Sequence, residues 1–176
     1  MYLPSKITKI LSNMNRSYII YYSKGKITSV VVDNKNITIS ASTKGYLIDI
    51  KGSKVILNDL KSIKPLLMKF STSQVDKSTS FKISENLVEL FAENEKTFAV
   101  EYLNGNVISI IMDKPSVKIE KTATGYFLEI NYKEIAVDSL TDVKRFLSKM
   151  NIINENQKES NKNQEEDLYK QLKLDI

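Results

Sequence analysis

Lys24 and Lys26 flank Gly25 at a sharp break between two apolar runs, SYIIYY and ITSVVV, and Tyr21 stands just ahead of them. Ammonium groups on a tight turn beside an outward ring suit a single-stranded nucleic acid, because cations track phosphates while aromatic faces stack bases. Lys35, Lys44, Lys51 and Lys54 follow at later turns and strand ends. Eighty residues on, the same positions hold Glu101 for Tyr21, Asn104 and Asn106 for the first two lysines, then Pro115, Thr124, Asn131 and Glu134. The framework recurs while the charge is lost. Residues 1–80 carry thirteen basic side chains and four aspartates, whereas residues 81–150 carry nine basic and eleven acidic ones. Such asymmetry points to a polyanion partner for the first copy, against the plainer reading of a lysine-rich solvated surface.

Other chemistries are poorly provided for. The chain has no histidine and no cysteine, so the usual general base, thiolate nucleophile and zinc ligands are missing. Asp33 and Asp113 fall at turns, where aspartate is favoured for local hydrogen bonds, and Glu165-Glu166-Asp167 is a charge run. No glycine-rich phosphate loop, nucleophile elbow or metal-ligand spacing is present. We therefore expect a non-enzymatic protein without cofactor or metal. No apolar stretch approaches the length of a membrane span, and we expect a soluble, cytoplasmic protein with no membrane association.

The elements that position these residues come in duplicate. Residues 17–70 align without a gap on 97–150 with twelve identities, among them Tyr22/Tyr102, Gly25/Gly105, Asp33/Asp113, Gly45/Gly125 and Leu67/Leu147. Ile7, Ile10, Leu11 and Met14, and Leu87, Leu90 and Phe91, have helical spacing. Alternation then sets Tyr18, Ile20 and Tyr22 on one strand face, matched by Phe98, Val100 and Tyr102. Lys24-Gly25-Lys26 and Asn104-Gly105-Asn106 read as hairpin turns. Further strands follow, and each copy closes in a helix after a capping residue, Asn58-Asp59 or Asp138-Ser139. The buried stripes expected there are Leu60, Ile63, Leu67 and Phe70, and Leu140, Val143, Leu147 and Met150. Pro65 should kink the first of these helices or delay its start.

The expected fold is α+β: two tandem pseudo-symmetric helix, antiparallel meander of four to five strands, helix repeats, at 1–70 and 83–150. A linker, 71–82, joins them, and a disordered tail, 151–176, follows. Strict alternation places Val30 and Val32, and Ile108, Ile110 and Met112, opposite the helices, with Leu47 and Phe127 added from the fourth strands. That apolar second face predicts sheets packed on each other or on a second subunit, as in a homodimer. Ile108, Ile110, Met112 and Phe127 are accordingly candidates for protein interaction. Leu168, Tyr169 and Leu172 in EEDLYKQLKLDI could form a docking helix for a protein partner.

The segment Lys24-Gly25-Lys26-Ile27 after YIIYYS, and Val55-Ile56-Leu57-Asn58 running into the helix Leu60 to Phe70, resemble the Whirly, PUR and positive-cofactor-four group of single-stranded nucleic-acid-binding folds. The resemblance implies meander-plus-helix repeats and a binding role for Lys24 and Lys26. The chain departs from that group in its helix before each meander, its extra strand, and the absence of the KGK turn from the second copy. Single-stranded DNA or RNA is thus the expected ligand, bound by Tyr21, Lys24, Lys26, Lys35, Lys44, Lys51 and Lys54. The alternative is an assembly adaptor acting through the apolar sheet face and the C-terminal peptide.

Overall fold

The structure, a computed structural model, describes residues 1–14, 16–33, 36–70 and 81–154. Helix α1 (Lys6–Ser12) is followed by strands β1 (Ser17–Ser23), β2 (Lys26–Val32), β3 (Ile37–Ser42), β4 (Gly45–Ile50) and β5 (Ser53–Leu57). A 3-10 turn at Leu60–Ser62 leads into α2 (Ile63–Lys69). The order then recurs: α3 (Glu85–Glu93), β6 (Phe98–Leu103), β7 (Asn106–Met112), β8 (Val117–Lys121), β9 (Tyr126–Ile130), β10 (Lys133–Val137) and α4 (Leu140–Lys149). All ten strands form one antiparallel sheet in the order β10-β9-β8-β7-β6-β1-β2-β3-β4-β5. Among the described residues no helix is long and apolar enough to cross a membrane.

The halves meet edge to edge. β1 pairs antiparallel with β6 from Ser17 opposite Leu103 to Tyr22 opposite Phe98. Within the chain the expected face-to-face packing of two sheets does not occur. Joining the first strands of the two meanders satisfies two rows of backbone donors and acceptors that would otherwise lie at open edges. Stacked rings add to the seam: Tyr18 on Tyr102 at 4.8 Å and Tyr22 on Phe98 at 4.4 Å between centroids.

One face of the sheet and the apolar stripes of the helices form a single core. Val30, Val32, Ile110 and Met112 belong to it, correcting the expectation that they face away from the helices; Ile110 is 0 % and Met112 3 % exposed. The cause is a bulge in each hairpin. Tyr21 faces Ser29 while Tyr22 faces Ile27, and Glu101 faces Ser109 while Tyr102 faces Val107, so Thr28 and Ile108 are extra residues that reverse the alternation beyond them. Val31 and Ile111 take the opposite face instead.

The helix starts follow the capping residues. Asp59 accepts a hydrogen bond from the Lys61 amide at 3.0 Å, and Ser139 accepts one from the Asp142 amide at 3.1 Å. Pro65 lies in the first turn of a helix that begins only at Ile63, where its missing N–H has no intrahelical use. The closing stripes are narrower than expected: Ile63 and Leu67, and Val143 and Leu147, are buried, but Phe70 and Met150 are exposed. The chain stays with the core beyond 150, since Ile152 and Ile153 are buried and the Asn154 amide donates to Asn94 Oδ1 at 2.7 Å. Residues 151–154 of the expected tail are thus part of the folded body; its remainder, 155–176, and residues 71–80 of the expected linker lie outside the described residues.

The Gly25 and Gly105 turns do more than reverse the chain. Lys24 and Gly25 have φ of 49° and 70°, and Asn104 and Gly105 have 51° and 76°, the paired positive angles of a type I′ turn. A Cβ on Gly25 would lie 2.1 Å from the Ala92 carbonyl oxygen, and one on Gly105 2.6 Å from that of Ser12. The C-terminal end of α3 therefore rests on the first half's hairpin turn, and that of α1 on the second half's. Each half supplies a helix that locks the other's turn.

Candidate nucleic-acid interface

The expected site residues divide between two ends of the sheet. Because β1 runs toward Phe98 and β6 away from it, one end carries the β1–β2 turn with Lys24 and Lys26, and the β3–β4 turn with Lys44. The antiparallel seam inverts the second half, so its β7–β8 and β9–β10 turns, with Lys114 and Lys133, arrive at this same end. Lys96, at the entry to β6, sits between the two groups, its carbonyl accepting from the Gly25 amide at 3.0 Å. A row of lysines from both halves thus edges the sheet. Lys96, Lys114 and Lys133 were missed in the sequence, where only the first copy looked basic; the signal that finds them is the β1–β6 pairing.

Tyr21 is half-buried on the face without helices, with Ser29 on one side and the small Ala99 on the other. It lines an open groove of about 690 Å³ together with Ile19, Lys96, Ala99, Glu101 and Lys114. Lys51 and Lys54 lie at the opposite end of the sheet, and Lys54 stands across from Asp49 in the β4–β5 pair, which offsets its charge. They do not join the rim of Lys24, Lys26 and Lys44. Lys35, like Leu168, Tyr169 and Leu172, lies outside the described residues.

The helix-free face of the second half carries Glu101, Glu120, Glu129 and Glu134, alternating with the buried residues of its strands. Lys118 is bound to Glu120 at 2.9 Å, and Glu129 stands directly across from Glu134. The helix-free face of that half is therefore acidic, in contrast to the lysines along the rim. Of the residues expected to mediate protein contacts, Ile108 and Phe127 are half-buried on this face, whereas Ile110 and Met112 are in the core. Ile108 also lines a smaller groove with Ile19, Val31 and Glu101.

Asp33, read in the sequence as a turn residue, is a core ion-pair partner. Arg16 Nη1 donates to its Oδ2 at 2.8 Å and Arg16 Nη2 to the Leu67 carbonyl at 2.8 Å, tying β1, β2 and α2 together. Burial raises the Asp33 pKa, opposed by the Arg16 charge. Eighty residues on, the pair becomes Lys96 and Asp113, and both border the open groove. A longer, planar, buried cation has been replaced by one at the rim.

A second concavity, between α1 and α3 on the helix side, was also not foreseen. Tyr18, Tyr22 and Tyr102, assigned to the core from alternation alone, bring their polar ends to its floor. The Tyr102 hydroxyl donates to Glu85 Oε2 at 3.4 Å, and the Tyr18 hydroxyl has no hydrogen-bond partner among the described residues. Burial raises all of these phenols, with the Glu85 charge as the next cause for Tyr18 and Tyr22 and the neighbouring Tyr22 as the next for Tyr102; Tyr22, helped down by a hydrogen bond with Tyr102, is pushed up to about 12. Comparison of the chain with known protein families, with curated proteins and with solved structures gives no match.

Proposed function

We propose that this chain is a non-enzymatic, cytoplasmic single-stranded DNA- or RNA-binding protein built from two related halves. A strand would run along the lysine rim and over the first half's helix-free face, with Tyr21 as stacking platform. The observation that carries the reading is the gathering of Lys24, Lys26, Lys44, Lys96, Lys114 and Lys133 at one sheet end beside Tyr21. Flexible ammonium groups at turns suit a phosphate chain of variable path, and the acidic face of the second half gives the track a direction. The Whirly-like KGK turn fits this reading through Lys24 and Lys26.

The test is a titration of single-stranded DNA, single-stranded RNA and duplex DNA at several salt concentrations. K24N/K44T, which installs the residues found eighty positions later, should weaken single-strand binding and flatten the logarithmic salt slope by about 0.7 per lost phosphate contact. Y21A should cost about 1–3 kcal/mol of a stacked base. Unchanged affinity and slope in K24N/K44T would sink the proposal.

A second reading rests on the helix-free face itself, where Ile19, Val31, Leu47, Ile111 and Phe127 are half-buried and, among the described residues, no helix covers them. An assembly adaptor or homodimer joined through this face would associate in a concentration-dependent, salt-insensitive manner. Substituting Ile111 and Phe127 by lysine would abolish that association, whereas K24N/K44T would not.

A further inference from the structure

The cleft between α1 and α3 encloses about 690 Å³. The walls occupy positions eighty residues apart, yet they differ in chemistry: α3 presents Glu85, Val88 and Glu89 where α1 presents Ser5, Thr8 and Lys9. The framework requires neither carboxylate, since the equivalent positions on α1 are neutral or basic. On the floor, Tyr18 is 2 % exposed, and its hydroxyl is buried without a partner among the described residues. A buried hydroxyl left unsatisfied is costly, and a ligand or water that enters the cleft removes that cost.

The donor and acceptor inventory selects the ligand. Glu85 Oε2 is already engaged by Tyr102, and its charge acts on Tyr18 and Tyr22 as well. Glu85 and Glu89 form no ion pair among the described residues. An anion would meet two carboxylates, and a neutral alcohol would leave their charge uncompensated. A primary ammonium has three donors and no acceptor, which matches one carboxylate and two phenol oxygens. Leu3, Ile27 and Val88 supply apolar lining for the remainder of such a molecule. At the mouth, Lys26 Nζ lies over the Tyr2 ring, 5.3 Å from its centroid, and Lys9 is exposed. These cations oppose a second positive charge.

We propose that this cleft is a binding site for a small primary monoamine with an apolar body, its ammonium held by Glu85 and the hydroxyls of Tyr18 and Tyr102. Burial raises the Glu85 pKa, and an ammonium held against the carboxylate opposes that shift through its charge. The site lies on the helix side of the sheet and shares Lys26, at its mouth, with the lysine rim, but neither Lys24 nor Lys44 lines it.

Benzylamine, benzyl alcohol and 1,4-diaminobutane serve as probes, read by calorimetric titration and thermal shift of the full chain. Benzylamine should bind saturably, with the alcohol and the diamine each about tenfold weaker or more, since 1.4 kcal/mol is tenfold. E85Q should weaken benzylamine about tenfold, and Y18F, which keeps the ring stack, several-fold. E134Q, on the far edge strand, should leave binding unchanged, as should K24N/K44T, so failure here is distinguishable from failure of nucleic-acid binding. Circular dichroism confirms that each variant is folded before comparison. Equal affinity for amine and alcohol, full binding by folded E85Q, or no saturation by benzylamine would each overturn the proposal.

Discussion

Gly25→Ala measures the exchanged helix contact directly when compared with Gly52→Ala. Both glycines have positive φ, 70° and 90°, so either substitution incurs the left-handed penalty of an L-residue, about 1–2 kcal/mol. Around Gly52 an added Cβ meets nothing within 4 Å; around Gly25 it would stand 2.1 Å from the Ala92 carbonyl oxygen. That oxygen belongs to backbone, so the end of α3 must lift from the turn. Lifting strains the hydrogen bond from the Gly25 amide to the Lys96 carbonyl, worth about 1 kcal/mol, and disturbs the packing near Phe91, with overpacking costs of about 1–3 kcal/mol. G25A should therefore destabilise by about 3–6 kcal/mol and G52A by about 1–2 kcal/mol. Urea denaturation of both variants gives the difference, and at roughly 2–4 °C per kcal/mol for a chain of this size it is also visible in melting temperature. Equal destabilisation would refute the docking of α3 on the hairpin turn as a source of stability.

Two further outcomes follow from buried ionisable groups. Arg16→Met leaves Asp33 buried without its cation and should cost about 3–5 kcal/mol at neutral pH, measured by denaturant unfolding. Asp33 has a folded pKa already raised above its unfolded value, so its favourable share of stability is present at low pH and lost as pH rises through the folded value. Removing Arg16 raises that pKa further, so the R16M deficit should shrink near pH 4; a pH-independent deficit would contradict the ion pair. Tyr18, Tyr22 and Tyr102 are likewise raised above 10, Tyr22 to about 12. Their contribution is complete below pH 10; the share of Tyr22 is lost as pH climbs through about 12, and those of Tyr18 and Tyr102 persist to higher pH. Phenolate absorbance should show these rings ionising together with loss of the folded state.

The local chemistry of the chain was readable without coordinates. Alternation placed Tyr18, Ile20 and Tyr22 inward, the paired glycines marked the hairpins, and Asp59 and Ser139 announced helices, because each signal depends on neighbours within a few residues. The reading failed where one extra residue sufficed: Thr28 and Ile108 reverse the alternation, so Ile110 and Met112, read as outward, lie in the core. A bulge has no clear mark in composition, and a one-residue change of register turns every later side chain to the other face.

The interface depended on a different kind of information. Lys24, Lys26 and Lys44 were recognisable as neighbours from the meander alone, but their company with Lys96, Lys114 and Lys133 depends on which strand edges meet. Either edge of each meander offers similar backbone groups, and the β1–β6 seam is chosen by long-range packing: the stacked rings of Tyr18 with Tyr102 and Tyr22 with Phe98, and helices resting on each other's turns. Duplication is a one-dimensional fact that residue identities reveal. The inversion of one copy against the other, which assembles both the lysine rim and the tyrosine-floored cleft, is three-dimensional, because it arises from pairings about eighty residues apart.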